Sequence, residues 1–157
     1  METPYTCFYS SPIGTMKIDS DDIGINSIVF LNYEPEITTN NNYSIHIKNC
    51  ITQLDEYFRG TRKNFSIKLH ISGTPFREKV WKELLKIPYG HTCSYYDIAN
   101  SINNKNAVRA VGGANHHNKI SIIIPCHRVI GKDGNLTGYG GGLWRKKWLL
   151  EHEQKYN

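Results

Sequence analysis

Apolar and polar positions follow two different rhythms along the chain, and the change between them falls near residue 73. From Tyr5 to Tyr9, from Thr15 to Ile18 and, after an acidic turn at Asp19 to Gly24, from Ile25 to Leu31, the pattern is that of short strands, and a hairpin fits it best. Asn40-Asn41-Asn42 reads as a loop. Beyond it Ile47, Cys50, Ile51, Leu54, Tyr57 and Phe58 recur at i, i+3, i+4 and i+7. That spacing predicts an amphipathic helix ended by Gly60 and makes Cys50 a core residue. Phe65, Ile67, Leu69 and Ile71 alternate with Ser66, Lys68 and His70, which predicts a half-buried strand. Strands plus one helix make residues 1–72 a small α/β domain.

At Ser72-Gly73-Thr74-Pro75 turn residues meet a helix start, with Thr74 as N-cap and Pro75 at the first helical position. We place the boundary there, so that residues 73–157 form a second domain. Phe76, Val80, Trp81, Leu84 and Leu85 share one helical face until Ile87-Pro88-Tyr89-Gly90 stops the helix. Ser94 with Asp97 resembles a capping box and opens a helix through Ile98, Ala99 and Ile102. After the polar turn Asn103-Asn104-Lys105-Asn106, Ala107 to Ala114 predicts a further short helix, and the pair suggests a helix-turn-helix. The apolar run Ile120 to Ile123 predicts a buried strand that delivers Pro125-Cys126-His127-Arg128. Gly138-Tyr139-Gly140-Gly141-Gly142 predicts a flexible loop able to fold over a ligand. Leu143 to Glu153 predicts a last helix, with Trp144, Trp148 and Leu149 packing inward.

Composition narrows the class. A chain of 157 residues can bury a real core without staples. Its four cysteines, Cys7, Cys50, Cys93 and Cys126, are scattered without a CxxC pair, which fits reduced thiols in an intracellular compartment. No apolar stretch approaches the ~20 residues that span a bilayer, and Met1-Glu2-Thr3-Pro4 lacks the basic and apolar regions of a signal peptide. These features fit a soluble, cytoplasmic protein, and a monomer is expected. Lys and Arg number 19 against 14 Asp and Glu, a formal charge of +5. That excess is compatible with a phosphate-backbone partner, but by itself it describes a mildly basic enzyme equally well.

Candidate chemistry lies in two places. In Ala107 to Ala114 every residue but Arg109 is small, which suits a backbone that approaches a partner closely, as in a narrow groove, or tight helix packing in a core. Gly112 and Gly113 each cost helix propensity of ~1 kcal/mol, which either role would justify. Cys126 is the second place. A thiol with a pKa of roughly 8.5 reacts only as the thiolate, so it needs a nearby base or positive charge, and His127 is the obvious one. Neighbouring side chains on a regular strand point to opposite faces, so His127 reaches Cys126 only if the chain turns after Pro125. Adjacent histidines on a helix diverge by roughly 100°, which makes His116-His117 solvated or phosphate-facing rather than a metal pair. Cys7 and Cys93 read as packed thiols.

Taken together, Gly73-Thr74-Pro75-Phe76, Arg109-Ala110-Val111-Gly112-Gly113-Ala114, Pro125-Cys126-His127-Arg128-Val129, Tyr139 with its glycines, and Trp148-Leu149-Leu150-Glu151-His152-Glu153 closely resemble the signatures of one family. These are the methylated-DNA:protein-cysteine methyltransferases, the O6-alkylguanine-DNA alkyltransferases. The match is nearly continuous from Gly73 to Glu153; before it, Ser11-Pro12-Ile13-Gly14 matches loosely. The resemblance implies an α/β (α+β) chain: a small ribonuclease-H-like N-terminal α/β domain, then a mainly helical, winged helix-turn-helix-like domain carrying the active site. It implies DNA repair by direct, stoichiometric and irreversible transfer of the alkyl group of O6-alkylguanine to Cys126, with O4-alkylthymine a further candidate substrate. No cofactor is implied. The partner is double-stranded DNA, entered through its minor groove, which favours the DNA-contact reading of the small-residue helix.

The buried lesion must leave the stack before its alkyl carbon can be attacked in line. By resemblance Arg109 fills the gap left by the rotated base, while Tyr95 helps drive the rotation and donates a hydrogen bond to the base. Asn118 holds the active-site turn. A relay runs from Cys126 through a water to His127 and then Glu153. Backbone carbonyls of Cys126 and Val129 accept from the guanine amino group. Ala110, Gly112, Gly113, Asn115, Arg128, Tyr139 and Gly140 complete the DNA- and base-facing set. Three positions depart from the pattern: Lys119 replaces a common proline, Gly140 stands where some members have serine, and Asn115 stands where some have an intercalating apolar residue. The zinc ligands of some relatives are missing, since Cys7 is out of register and Ser20 to Asn26 offers no cysteine or histidine, so no metal is expected. A non-enzymatic protein that only binds alkylated DNA is the alternative, but such relatives lack the cysteine. A hydrolase would not need the Arg109 helix, and a regulator would not need Cys126, His127 and Glu153 together.

Overall fold

The computed structural model describes residues 4–36 and 43–157, so the loop expected at Asn40-Asn41-Asn42 lies outside the described residues. The chain forms two compact units, Met1–Ser72 and Gly73–Asn157.

In the first unit β1 (Tyr5–Ser11), β2 (Gly14–Ser20) and β3 (Ile25–Phe30) form an antiparallel sheet in that order, so the predicted hairpin is part of a three-stranded meander. The two-residue link Pro12-Ile13 closes on Gly14, whose φ of 114° favours glycine. Met16, Ile18, Ile25 and Ile28 are buried, as are Ile47, Cys50, Leu54 and Tyr57 of α1 (Ile45–Phe58). Ser44 caps α1 by accepting from the Ile47 amide.

The alternating segment 65–71 is not the regular strand its period suggests. It meets β3 in a single parallel bridge, Ile25 to Leu69, through the bonds Ile25 N to Lys68 O (2.9 Å) and His70 N to Ile25 O (2.8 Å). At Ser66 the side chain of Gln53 takes the place of a neighbouring strand: its Oε1 accepts from the Ser66 amide at 2.9 Å and its Nε2 donates to Ser66 Oγ at 3.0 Å. The backbone is satisfied without a ladder.

In the second unit α2 (Pro75–Leu84) starts with Thr74 as its cap and Pro75 in its first turn. Its Trp81 indole donates to Ala114 O at 2.8 Å, and the same ring passes so close to Gly73 that a Cβ there would lie 2.6 Å from it. Ser94 and Asp97 form a complete capping box on α3 (Tyr95–Ser101). A 3-10 turn, Lys105–Ala107, leads into α4 (Val108–His116). The two-stranded parallel pair β4 (Cys93–Ser94) and β5 (Val129–Ile130) sets the start of α3 beside the end of the cysteine segment.

Two expectations fail here for physical reasons. Ile120 to Ile123 is a series of buried turns rather than a strand, with Ile122 at φ 72°. The Asn118 side chain holds these turns by accepting from Ile120 N at 3.0 Å and donating to Ile124 O at 2.9 Å. In α5 (Leu143–Lys155) Leu149 is buried and Trp148 half-buried, but Trp144 is 57 % exposed, with the Arg145 guanidinium 4.5 Å from its ring centroid. The helix is rotated by its cations: Arg145 and Lys146 turn inward to reach Gly141 O (2.8 Å) and Thr137 O (2.7 Å).

Candidate active site

Pro125, at φ −81° and ψ 62°, bends the chain into a 3-10 turn over Cys126–Arg128. This is the turn that His127 requires after Pro125. Cys126 is only 6 % exposed. Its Sγ accepts from Asn118 Nδ2 at 3.1 Å, and the same amide nitrogen also serves Ile120 O and Ile124 O, so its two hydrogens are shared among three acceptors. Burial pushes the Cys126 thiol up; the Asn118 hydrogen bond, the Lys146 charge and the amides of Cys126 and His127 pull the other way without overcoming it. The resting group is a thiol set among donors that would welcome a thiolate.

Behind it lies Glu153, brought in by α5. Its carboxylate accepts from His127 Nε2 at 2.7 Å, from Arg128 Nε at 2.8 Å and Nη2 at 3.1 Å, and from the Gly90 amide at 3.1 Å. Burial alone would raise this carboxyl, but the hydrogen bond from His127 and the bonds and charge of Arg128 outweigh it and hold it well below the usual range. Burial is the largest influence on His127 and lowers it, toward the neutral ring, against the opposing pull of the Glu153 carboxylate. Because Nε2 donates to Glu153, Nδ1 carries the lone pair. That Nδ1 is buried and has no hydrogen-bond partner among the described residues.

Arg128, expected to face DNA, instead sits inside this cluster: besides its fork on Glu153 it donates from Nη1 to Ile87 O at 2.7 Å. Buried carboxylates keep their charge only when so paired, and the fork claims Arg128 for that task. Asn115 is also not on an outer face. It is 5 % exposed and donates from Nδ2 to Cys126 O at 3.3 Å. Val129 is fully buried on β5. The Tyr95 hydroxyl donates to Thr137 O at 3.0 Å. Tyr139 is half-buried in the glycine loop, and burial raises its phenol well above the ordinary value.

Arg109, Ala110 and Gly113 are exposed along α4, and Gly112 is partly so. A Cβ added at Gly112 or Gly113 would meet no other part of the protein within 4 Å. Tight internal packing therefore does not explain these glycines. Gly140 is likewise exposed with open space around it.

Sequence reasoning missed Lys146, counted only among the basic residues. It is fully buried, donates to Thr137 O, and lies 5.9 Å above the Tyr95 ring. Burial lowers its pKa to about 8, against an opposing pull from Cys126. The signal was available: Lys146, Leu149 and Glu153 fall at i, i+3 and i+7 on α5. The Gly90 amide and Ile87 carbonyl were missed because their segment announces only a helix stop. Among the described residues no group of three or more His, Cys, Asp or Glu side chains is arranged to hold a metal, and no helix is long and apolar enough to cross a membrane.

A buried thiol backed by an imidazole and a carboxylate, set beside a helix-turn-helix with a small, cationic outer face, defines a DNA-directed protein with a cysteine nucleophile. The comparisons with known proteins agree. Residues 75–155 match the DNA-binding domain of 6-O-methylguanine DNA methyltransferase, and residues 5–71 match that protein's ribonuclease-like domain. The methylated-DNA:protein-cysteine methyltransferase of Mycobacterium bovis is 46 % identical over 146 residues, covering 92 % of this chain and 88 % of that one. That of Methanosarcina acetivorans is 41 % identical over 152 residues, covering 95 % and 97 %. The crystal structure of Mycobacterium tuberculosis OGT in complex with DNA superposes with a TM-score of 0.87 at 42 % identity, covering 97 % of this chain and 94 % of that one. The chain belongs to the methylated-DNA:protein-cysteine methyltransferase family, the O6-methylguanine DNA methyltransferases.

Two measurements test the electrostatics. Lys146→Met removes a charge that favours the thiolate, so the pH profile of Cys126 alkylation by iodoacetamide, followed by intact mass, should move upward by about one pH unit, ~1.4 kcal/mol; an unmoved profile would show that Lys146 does not act on the thiol. Glu153 has a depressed carboxyl, so its contribution to stability is complete above the unfolded carboxylate range near roughly pH 4.3 and is lost as pH falls through its lower folded value. Glu153→Gln should accordingly cost about 3–5 kcal/mol at pH 7 by chemical denaturation, and the gap from wild type should narrow in strong acid.

Proposed function

We propose that this protein repairs DNA by transferring the alkyl group of O6-alkylguanine to Cys126, once per molecule. The observation that carries this reading is the placement of Cys126 Sγ among donors, next in sequence to an imidazole whose outer nitrogen is bonded to Glu153. Such a group suits attack on carbon better than simple lesion binding, which has no use for a poised nucleophile and base.

The protein binds DNA through α4. Its exposed glycine and alanine face admits close approach to a groove only about 6 Å wide, and Arg109 is the long side chain able to enter the stack where the lesion has rotated out. Such extrusion is required because the alkyl carbon is inaccessible in the duplex. We assign minor-groove binding on this basis. Four free cysteines suit a reducing, cytoplasmic setting.

In the reaction, the Cys126 proton passes through a water to His127 Nδ1, and Glu153 stabilises the imidazolium that results. The sulfur electron pair forms the S–C bond while the C–O bond breaks and its electron pair goes to guanine O6. Lys146 and the Asn118 amide stabilise the thiolate before attack. The Tyr95 hydroxyl, bonded to Thr137 O in the free protein, exchanges that acceptor for the flipped base and stabilises the departing charge. The product is a thioether with no electrophilic carbonyl, so water cannot release the thiol.

Incubation with duplex DNA containing O6-methylguanine should add one methyl to the intact protein, located at Cys126, and Cys126→Ala should add none. Absence of methylation in the wild type would leave lesion binding as the function. Arg109→Ala should slow duplex repair by roughly tenfold or more, equivalent to ~1.4 kcal/mol of barrier, while leaving reaction with the free alkylated base nearly unchanged. Equal losses on both substrates would remove Arg109 from the flipping step.

A further inference from the structure

The carbonyl of Cys126 is already fully used. It accepts from the Val129 amide, which closes the 3-10 turn, and from Asn115 Nδ2 at 3.3 Å. A carbonyl oxygen has two lone pairs, so none remains for the amino group of a guanine. The alkyltransferase pattern would have this carbonyl and that of Val129 hold the two hydrogens of that group, and in this chain the Cys126 carbonyl is committed elsewhere.

The side chain that takes it offers a replacement. The orientation of the Asn115 amide is fixed by its neighbour: rotated by half a turn, it would set its oxygen against the Cys126 carbonyl oxygen. Nδ2 therefore faces that carbonyl, and Oδ1 is turned elsewhere. Oδ1 is buried and accepts no hydrogen bond among the described residues, on a side chain that is 95 % buried by its 5 % exposure. Asn115 contacts the backbone of the nucleophile itself, and Asn118, just beyond the end of α4, contacts its sulfur. An acceptor left without a donor beside a reacting group calls for a donor from outside the chain.

An O6-alkylated guanine has one such donor in the right region. Alkylation of O6 fixes the ring in the form whose N1 carries no hydrogen, so along the edge that bears the alkyl group the exocyclic 2-amino group is the only donor. We propose that Asn115 Oδ1 accepts a hydrogen bond from the 2-amino group of the flipped base, making Asn115 a specificity-determining residue. The proposal rests on the alkyl-transfer reading above. It gives chemical sense to a polar side chain at a position where some family members carry an apolar one: the amide occupies the carbonyl with its nitrogen and reads the base with its oxygen.

The test compares single-turnover methylation of Cys126 by matched duplexes carrying O6-methylguanine or O6-methylhypoxanthine, which differ only in the 2-amino group. Wild type should prefer the guanine lesion by roughly tenfold or more, because loss of the donor leaves a buried acceptor unpaired. Asn115→Leu should bring the two rates to within about twofold by slowing the guanine reaction alone, and Asn115→Asp, which keeps the acceptor, should keep the preference even if both rates fall. Equal wild-type rates would overturn the proposal without recourse to any variant. So would an Asn115→Leu protein that slows both substrates alike and keeps the preference, since that is the mark of a purely structural side chain. If neither duplex methylates Cys126 in the wild type, the alkyl-transfer reading fails and this proposal falls with it.

Discussion

The site depends on one carboxylate. Glu153 is fully removed from water and would be intolerable there as an isolated charge. Four donated hydrogen bonds from three residues make it stable, and they reach it from two separate segments of the chain. His127 and Arg128 come from the cysteine turn, the Gly90 amide from the segment that ends α2, and the carboxylate from α5. The Arg128 fork is bidentate, the strongest geometry such a pair can take, and its remaining arm reaches Ile87 O. Three chain segments distant in sequence are thus fixed to one another at a single point, and the nucleophile is positioned as a consequence. The charge also sets the imidazole: with Nε2 bound to the carboxylate, only Nδ1 is left to take a proton.

Around the thiol two influences oppose each other, and burial is the larger. Burial favours the neutral thiol and the neutral amine, raising Cys126 and lowering Lys146. Their mutual attraction works the other way on both, because an ion pair in a poorly solvated place is worth more than it would be in water. A protein able to use its nucleophile only once is served by a resting state in which burial prevails. The thiol is then less reactive toward chance electrophiles and oxidants than a resting thiolate would be.

What could be read from the sequence was whatever is decided within a few residues. Thr74-Pro75 and the Ser94 with Asp97 box mark helix starts through local backbone bonding, and they fall where the structure has them. Gly60 follows α1 with φ 82°, as a helix stop should. Segments 65–71 and 120–123 misled because an alternating or apolar run has the same appearance in a strand and in buried irregular chain. The difference lies with Gln53 and Asn118, whose amides satisfy backbone groups that a strand neighbour would otherwise take, and no period in the run itself reports them. Arg128 and Lys146 misled in a second way. Their charges suggest surface, and only partners remote in sequence, Ile87, Thr137 and Glu153, make burial tolerable. Trp144 follows from the same cause, since the helix turned its cations in and the indole out.

Helix α4 shows how binding and chemistry are joined. One side carries Val111, Ala114 and Asn115, all buried, with Ala114 O receiving the Trp81 indole and Asn115 holding the Cys126 carbonyl. The other side carries Arg109, Ala110 and Gly113 to the outside. Each glycine in the helix costs ~1 kcal/mol relative to alanine, and open space at Gly112 and Gly113 means that internal packing returns none of it. A methyl group would fit at either position, so the cost is offset only when something outside the chain comes close. The helix proposed to meet the DNA is the same element whose inner face grips the cysteine turn. Contact on the outer face, under the reading proposed above, would be made by the same helix that holds the Cys126 carbonyl with Asn115 and the Trp81 indole with Ala114 O.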